Sequence, residues 1–243
     1  MFRPTRLALA AVLPVAACGT ATTNPTPTEI ARLRIVNLVT GQGPIDVQVD
    51  AADRRPTNLA YATVAPSTRG DYYLITVGTR RLRVFAPGGT TALFDTTFTA
   101  ENLQAWTFAW TGVAGATDAR RPGFIPLADT LAALPGELVR LRVVHAASAV
   151  GALDVFMAPI TQPLPATPTI ENITFRQGGV AGMPSGNTRV CVTSRGTPPG
   201  ANNVNCLVNR TTELLSTGSY QSFFLRDPDP GQSGVGVLVT TER

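Results

Sequence analysis

The sequence predicts an all-β protein of two tandem antiparallel β-sandwich repeats, and three observations carry that prediction. RLRIVNLVTGQGPIDVQV (Arg32–Val49) returns without a gap 108 residues later as RLRVVHAASAVGALDVFM (Arg140–Met157), with seven of eighteen positions identical. A self-match at fixed spacing defines the repeat before any local reading. Apolar and polar residues alternate in short runs, and helical spacing is sustained nowhere. The 22 Gly and 20 Pro punctuate those runs along 243 residues, as turns between short strands do.

The first 30 residues lie outside the predicted fold. Arg3 and Arg6 form a positive n-region, Leu7–Ala17 is an apolar h-region too short to span a bilayer, and Cys18 follows Val15-Ala16-Ala17. This segment resembles the bacterial lipoprotein lipobox, which implies a signal peptide over residues 1–17 and a lipidated Cys18 as the mature N-terminus. An ordinary secretory signal cleaved near Ala17 is the other reading, and both export the chain. Residues 18–30, with GTATTNPTPT (Gly19–Thr28) at their centre, read as a solvated tether.

Repeat 1, residues 31–130, opens with ARLRIVN (Ala31–Asn37), where Leu33 and Ile35 alternate with Arg32 and Arg34, as in a half-buried strand. IDVQVD (Ile45–Asp50) turns Ile45, Val47 and Val49 inward. A weaker strand follows at Leu59–Val64, then Asp71–Val77, and then Arg80–Ala86, whose Leu82 and Val84 face the core and whose Arg81 and Arg83 face away. Pro87-Gly88-Gly89 is a turn. Ala92–Thr99, Ala105–Thr111 with Trp106 and Trp110, and Gly123–Asp129 complete a set of seven or eight strands, the pattern of a β-sandwich. Ala128–Glu137 is predicted as one helical turn between the repeats, ended by Pro135-Gly136.

Repeat 2, residues 131–243, keeps the order. The 108-residue offset carries Gly70, Gly78 and Gly88 onto Gly178, Gly186 and Gly196. WTFAW (Trp106–Trp110) aligns with YQSFF (Tyr220–Phe224) at an offset of 114, so six residues are gained between Gly88 and Tyr220, assigned to GTPPGANNVN (Gly196–Asn205). Cys191 and Cys206 flank that insertion. With Cys18 taken by lipid they form an even pair, predicted to be a disulfide outside the cytoplasm. By loop closure such a bridge stabilises by ~3 kcal/mol.

Chemistry is sparse. The net charge is +4, from 20 basic and 16 acidic residues; without Arg3 and Arg6 it is +2, and every basic residue is Arg. No basic block offers a nucleic-acid footprint. His145 is the single His, its counterpart is Asn37, and no Gly-x-Ser-x-Gly elbow accompanies it, so a structural role is favoured. Asp46 and Asp154 are repeated acids in separate repeats, read as hydrogen-bonding to turns rather than as a catalytic pair. DPDPG (Asp227–Gly231) is read as a turn, and no metal or cofactor is expected. Arg32, Arg34, Arg81, Arg83, Arg140, Arg142 and Arg189 form a candidate anion-binding face for acidic glycans or lipid headgroups, or a solvated face that discourages edge pairing. Tyr72, Trp106 and Trp110 are read as core, with a carbohydrate platform as the alternative.

RLRVVHAAS (Arg140–Ser148), the Leu-Asp-Val that follows it, and the Gly-bounded strand RLRVFAPGG (Arg81–Gly89) together resemble the DUF4397 family, a domain of unknown function. RLRIVNLVT departs from the motif at Asn37, where the family has His. The resemblance covers nearly all of Ala31–Arg243 and implies an immunoglobulin-like sandwich in secreted or lipid-anchored bacterial proteins, often in tandem, with no activity attached. The expected function is a non-enzymatic module anchored in the cell envelope by its N-terminal lipid, contacting an envelope glycan or a partner protein. A hydrolase on a sandwich scaffold is the alternative.

Overall fold

The computed structural model describes residues 29–68, 70–129, 138–214, 220–229 and 231–242. The expected signal peptide, Cys18 and most of the expected tether lie outside the described residues, as does nearly all of the helical turn expected at 128–137. Sixteen strands and one 3-10 turn make up the described chain, which is all-β as expected. No helix among these residues is long and apolar enough to cross a membrane.

The first eight strands are β1 (Ile30–Thr40), β2 (Asp46–Val49), β3 (Thr63–Ala65), β4 (Tyr73–Thr76), β5 (Gly78–Phe85), β6 (Ala92–Ala100), β7 (Ala105–Val113) and β8 (Gly123–Ala128). They form one sheet ordered β3-β1-β7-β8, with β4 also on β1, and a second ordered β2-β5-β6. The remaining strands are β9 (Leu138–His145), β10 (Leu153–Pro159), β11 (Ile170–Ile173), β12 (Gly178–Pro184), β13 (Gly186–Ser194), β14 (Val208–Leu214), β15 (Tyr220–Arg226) and β16 (Gly236–Glu242). Their sheets are ordered β12-β9-β15-β16 and β11-β10-β13-β14.

The repeat seen in the sequence recurs as strand register. Leu33 pairs with Tyr73 and Leu141 with Ala181; Asp46 pairs with Phe85 and Asp154 with Thr193. Each pair of sheets encloses its own apolar core. Leu33, Ile35, Val47, Leu82, Val84 and Phe108 belong to one, and Leu141, Val143, Val155, Val190, Val192 and Phe223 to the other.

Three expectations need correction. The pairing is not wholly antiparallel, because β1 runs parallel to β7 and β9 parallel to β15. The last aromatic strands correspond at 115 residues rather than 114, since Arg32 faces Ala105 where Arg140 faces Tyr220. A one-residue slip puts every side chain on the opposite face, and the corrected register matches Phe108 to Phe223 on the core side.

The third correction concerns the face assigned to solvent arginines. The outer faces of β1-β7-β8 and β9-β15-β16 pack on each other, so a shared cluster joins Val36, Leu38, Ala109 and Ile125 to Val144, Ala146 and Phe224. The contact uses equivalent positions of the two copies. Where Leu38 shrinks to Ala146, Ala109 grows to Phe224, a compensation that close packing requires. Burial on both faces explains why Ile35, Val36, Leu38 and Val39 are all apolar, with Asn37 alone polar among them, and why a parallel pair is tolerated.

Arg34 and Arg142 therefore end up buried, at 2% and 5% exposure. Arg142 pairs with Asp129 at 2.7 Å, donates to Ser222 Oγ at 2.9 Å and to the Ala128 carbonyl at 3.1 Å, and lies over the Tyr220 ring. Asp129 also accepts from Thr107 Oγ1 at 2.6 Å and from Tyr72 at 3.1 Å. Arg34 lies over the Tyr72 ring and donates to the Asp71 carbonyl.

Removing one member of a buried ion pair strands the other charge. Arg142→Leu should lower stability by about 3–5 kcal/mol in urea denaturation, whereas Arg32→Leu, at an exposed position, should stay within about 0.5 kcal/mol.

Candidate functional site

The repeated acids are structural, as their pattern suggested. Asp46 accepts the Asn58 amide at 2.8 Å and the Gly88 amide at 3.1 Å; Asp154 accepts those of Asn172 at 2.8 Å and Gly196 at 2.7 Å. All four donors have left-handed backbone, with φ of 53°, 69°, 52° and 74° respectively. Each carboxylate thus pins two tight turns to the start of a strand. Glu171 shares a small cleft with Asp154, but both Asp154 oxygens already serve backbone amides, which leaves the pair poorly suited to acid–base work.

His145 is fully buried. Its Nε2 donates to the Gly151 carbonyl at 2.8 Å, and Nδ1 has no hydrogen-bond partner among the described residues. Burial pushes its pKa below the usual His value, against the opposing pull of the Gly151 carbonyl and Asp227. Asn37 takes its place in the first copy, bonding the Leu59 carbonyl at 3.0 Å. Asp227 is also buried, and its carboxylate accepts from Thr40 Oγ1 at 2.8 Å, Ser148 Oγ at 2.6 Å and the Ala149 amide at 3.0 Å, tying the two copies together. Among the described residues no cluster of three or more His, Cys, Asp or Glu is placed to hold a metal.

The seven candidate arginines do not share one face. Arg34 and Arg142 are interior, Arg32 is exposed and Arg140 half-buried beside them, Arg81 and Arg83 lie on the β2-β5-β6 sheet, and Arg189 lies on the β11-β10-β13-β14 sheet. Arg81 is bound by Asp95 through Nε at 2.9 Å and a second, shorter contact. Arg83 donates to the Asp50 carbonyl at 2.8 Å. Trp110 belongs to the core and Trp106 packs against it.

Arg189 differs from the other six. Its counterpart by register is Arg81, but the place of Asp95 is taken by Asn209, since Arg83 faces Asp95 where Cys191 faces Asn209. Among the described residues the one hydrogen bond of its guanidinium is a long one, 3.5 Å, to the Ile160 carbonyl. Arg189 lines a groove of about 860 Å³, with Asn209 and Thr211 beside it on the same sheet.

Two lengthened loops wall this groove. Asp46 reaches twelve residues ahead to Asn58 but Asp154 reaches eighteen to Asn172, so the β10–β11 loop is six residues longer than its counterpart. Val84 pairs with Phe94 ten residues on, whereas Val192 pairs with Val208 sixteen on, which adds six between β13 and β14. Pro163, Leu164 and Pro165 come from the first extension; Pro199, Gly200, Asn202 and Asn203 come from the second. The Cys191–Cys206 disulfide forms as predicted and closes the base of the second extension. Gly200 is required there: φ is 73° and a Cβ would meet Asn205 Nδ2 at 2.9 Å.

The β10–β11 extension left no trace at Gly178, because a six-residue shortening before β12 cancels it. Its sequence signal was the pair of equivalent turns, Asn58 and Asn172, which stand 114 residues apart rather than 108.

For Asp46, burial raises the pKa, but the Asn58 and Gly88 amides and Arg54 outweigh it and hold the carboxyl below the ordinary 3.8. A depressed folded-state pKa contributes stability that is present above the unfolded value and is lost as pH falls through the folded one. Asp46→Asn should lose about 1–3 kcal/mol at neutral pH through the unmatched Gly88 donor. Its stability should also decline less steeply than wild type below pH 4, as read by denaturant titration across pH.

No curated protein matches the chain. Among solved structures it is similar to the Bacillus anthracis TIE protein, at 10% identity over 82% of this chain with a TM-score of 0.26; it spans 34% of that chain. A family 41 carbohydrate-binding module from a streptococcal virulence factor, in a structure concerned with α-glucan recognition, is similar at 10% identity, over 82% of this chain and 95% of that one, TM-score 0.29. The family 26 module of Eubacterium rectale Amy13K, in complex with maltoheptaose, is similar at 13% identity over 86% and 95%, TM-score 0.26. The model of the domain of unknown function DUF4397 matches residues 31–156, from β1 into β10 and over more than half of the sequence, and the chain therefore belongs to the DUF4397 family.

Proposed function

We propose that the protein is an exported, lipid-anchored module of the bacterial cell envelope that binds an acidic glycan in the groove of its second repeat. Residues 31–130 and 131–243 are read as two immunoglobulin-like sandwich repeats, standing off the membrane on a tether from Cys18. The observation that carries the binding reading is Arg189, a guanidinium in a groove where the first copy's neutralising aspartate has become Asn209. Amide and hydroxyl groups from Asn202, Asn203, Asn209 and Thr211 surround it, which suits the ring hydroxyls of a sugar polymer and a carboxylate at the arginine. Proline-framed walls and a disulfide-closed loop limit the ordering that binding would otherwise require.

An array of acidic and neutral oligosaccharides should give signal on the acidic members. Arg189→Gln should weaken that binding about tenfold, the equivalent of one charge-assisted hydrogen bond, with an unchanged thermal midpoint. A blank array, or full binding by the variant, contradicts the assignment. For the anchor, Cys18→Ser should release the protein from membranes into the soluble fraction, and unchanged retention contradicts the lipid reading.

A further inference from the structure

The first copy carries a cleft of a different character at its strand-end loops. It measures about 800 Å³ and opens between Gly41–Pro44, the Ala86-Pro87 turn and the loop from Ala114 to Pro122. Phe94 and Trp110 lie edge to face beneath it, with ring centroids 5.0 Å apart. Leu93, half exposed at 52%, forms an apolar side wall. The second copy does not reproduce this floor: by register Phe94 corresponds to Val208 and Trp110 to Leu225, while Gln42 corresponds to Val150.

Two side chains at the mouth carry donors, Gln42 and Arg121. Trp110 Nε1 donates to Gln42 Oε1 at 3.4 Å, and the Gln42 amide nitrogen has no acceptor among the described residues. Arg121 is the one charged residue lining the cleft. Its carbonyl accepts from Arg176, while its guanidinium makes no hydrogen bond or ion pair among the described residues. Asp118, in the same loop, is engaged by Arg120 at 2.9 Å and does not neutralise Arg121. The neighbouring Arg176 adds charge of the same sign.

We infer that this cleft binds a single-chain amphipathic carboxylate, with the apolar chain against Phe94, Trp110 and Leu93 and the carboxylate between Arg121 and the Gln42 amide. An apolar pocket of this size with a few convergent polar groups has the make-up of a small-molecule site. A planar guanidinium matches a carboxylate through two parallel hydrogen bonds. Arg121 lines the cleft while the Arg176 guanidinium is spent on the Thr111 and Arg121 carbonyls, so a single available cation favours a monoanion over a phosphate monoester, whose double charge would call for more. This site lies on the other copy from the glycan groove and does not depend on it.

The test uses the full chain carrying Cys18→Ser, which needs no detergent to compete for the cleft. Titration with decanoate should give a saturable change in tryptophan emission, because Trp110 forms the floor. Decanol should bind about tenfold or more weakly for want of the charge-assisted contact, and acetate should produce no change. Arg121→Gln should bring decanoate down to the affinity of decanol and leave decanol unaffected. Gly43 lines the cleft and a Cβ there would meet nothing within 4 Å, so Gly43→Phe should block both ligands at an unchanged thermal midpoint. Equal affinity for decanoate and decanol, no saturable change with decanoate, or full decanoate binding by folded Gly43→Phe would each overturn the inference.

Discussion

Everything else in the molecule depends on the contact between the two inner sheets. Packing β1-β7-β8 against β9-β15-β16 removes both faces of β1, β7, β9 and β15 from water, and the interior this creates must satisfy whatever polar groups fall inside it. Arg142, Asp129, Thr107 and Ser222 do so as one connected set across the contact. Asp227 closes one end of the contact through Thr40, and Arg176 spans it again by donating to Thr111. Buried charge of this kind is a weak source of net stability, but it penalises any other register of the two copies. The outer sheets and strand-end loops are left as the places where sequence can change without disturbing that contact.

The two copies divide accordingly. What recurs is structural: the inward apolar row, the Asp46 and Asp154 turn clasps, and the registers of the inner strands. What does not recur gathers at the groove and at the loop cleft. The second copy lengthens two loops over its outer sheet and exchanges the partner of Arg189, while the first keeps Phe94, Trp110 and Gln42 under a loop cleft.

Much of this was legible in the sequence. The repeat, the strand alternation of Ile45–Asp50, the turn role of the repeated acids and the Cys191–Cys206 bridge all follow from spacing and residue type. Arg34 and Arg142 were misplaced because two residues of alternation look alike whether the far face meets water or another sheet. The distinguishing signal was the largely apolar stretch that follows each of them, Ile35–Val39 broken by Asn37 and Val143–Ala147 broken by His145. The groove itself was half visible: one extension shifted the later strands, whereas the other was cancelled within a few residues by a shortening. The exchange of Asp95 for Asn209 becomes meaningful only once register sets those residues in corresponding positions.

The central claim is that Asn209, standing where the first copy has Asp95, leaves Arg189 available to a ligand. Asn209→Asp restores the first copy's arrangement at one atom's cost in shape. Titration of this variant with an acidic oligosaccharide that binds the wild type is the most direct measurement. Loss of binding at an unchanged thermal midpoint is the predicted result, and undiminished binding would contradict the account.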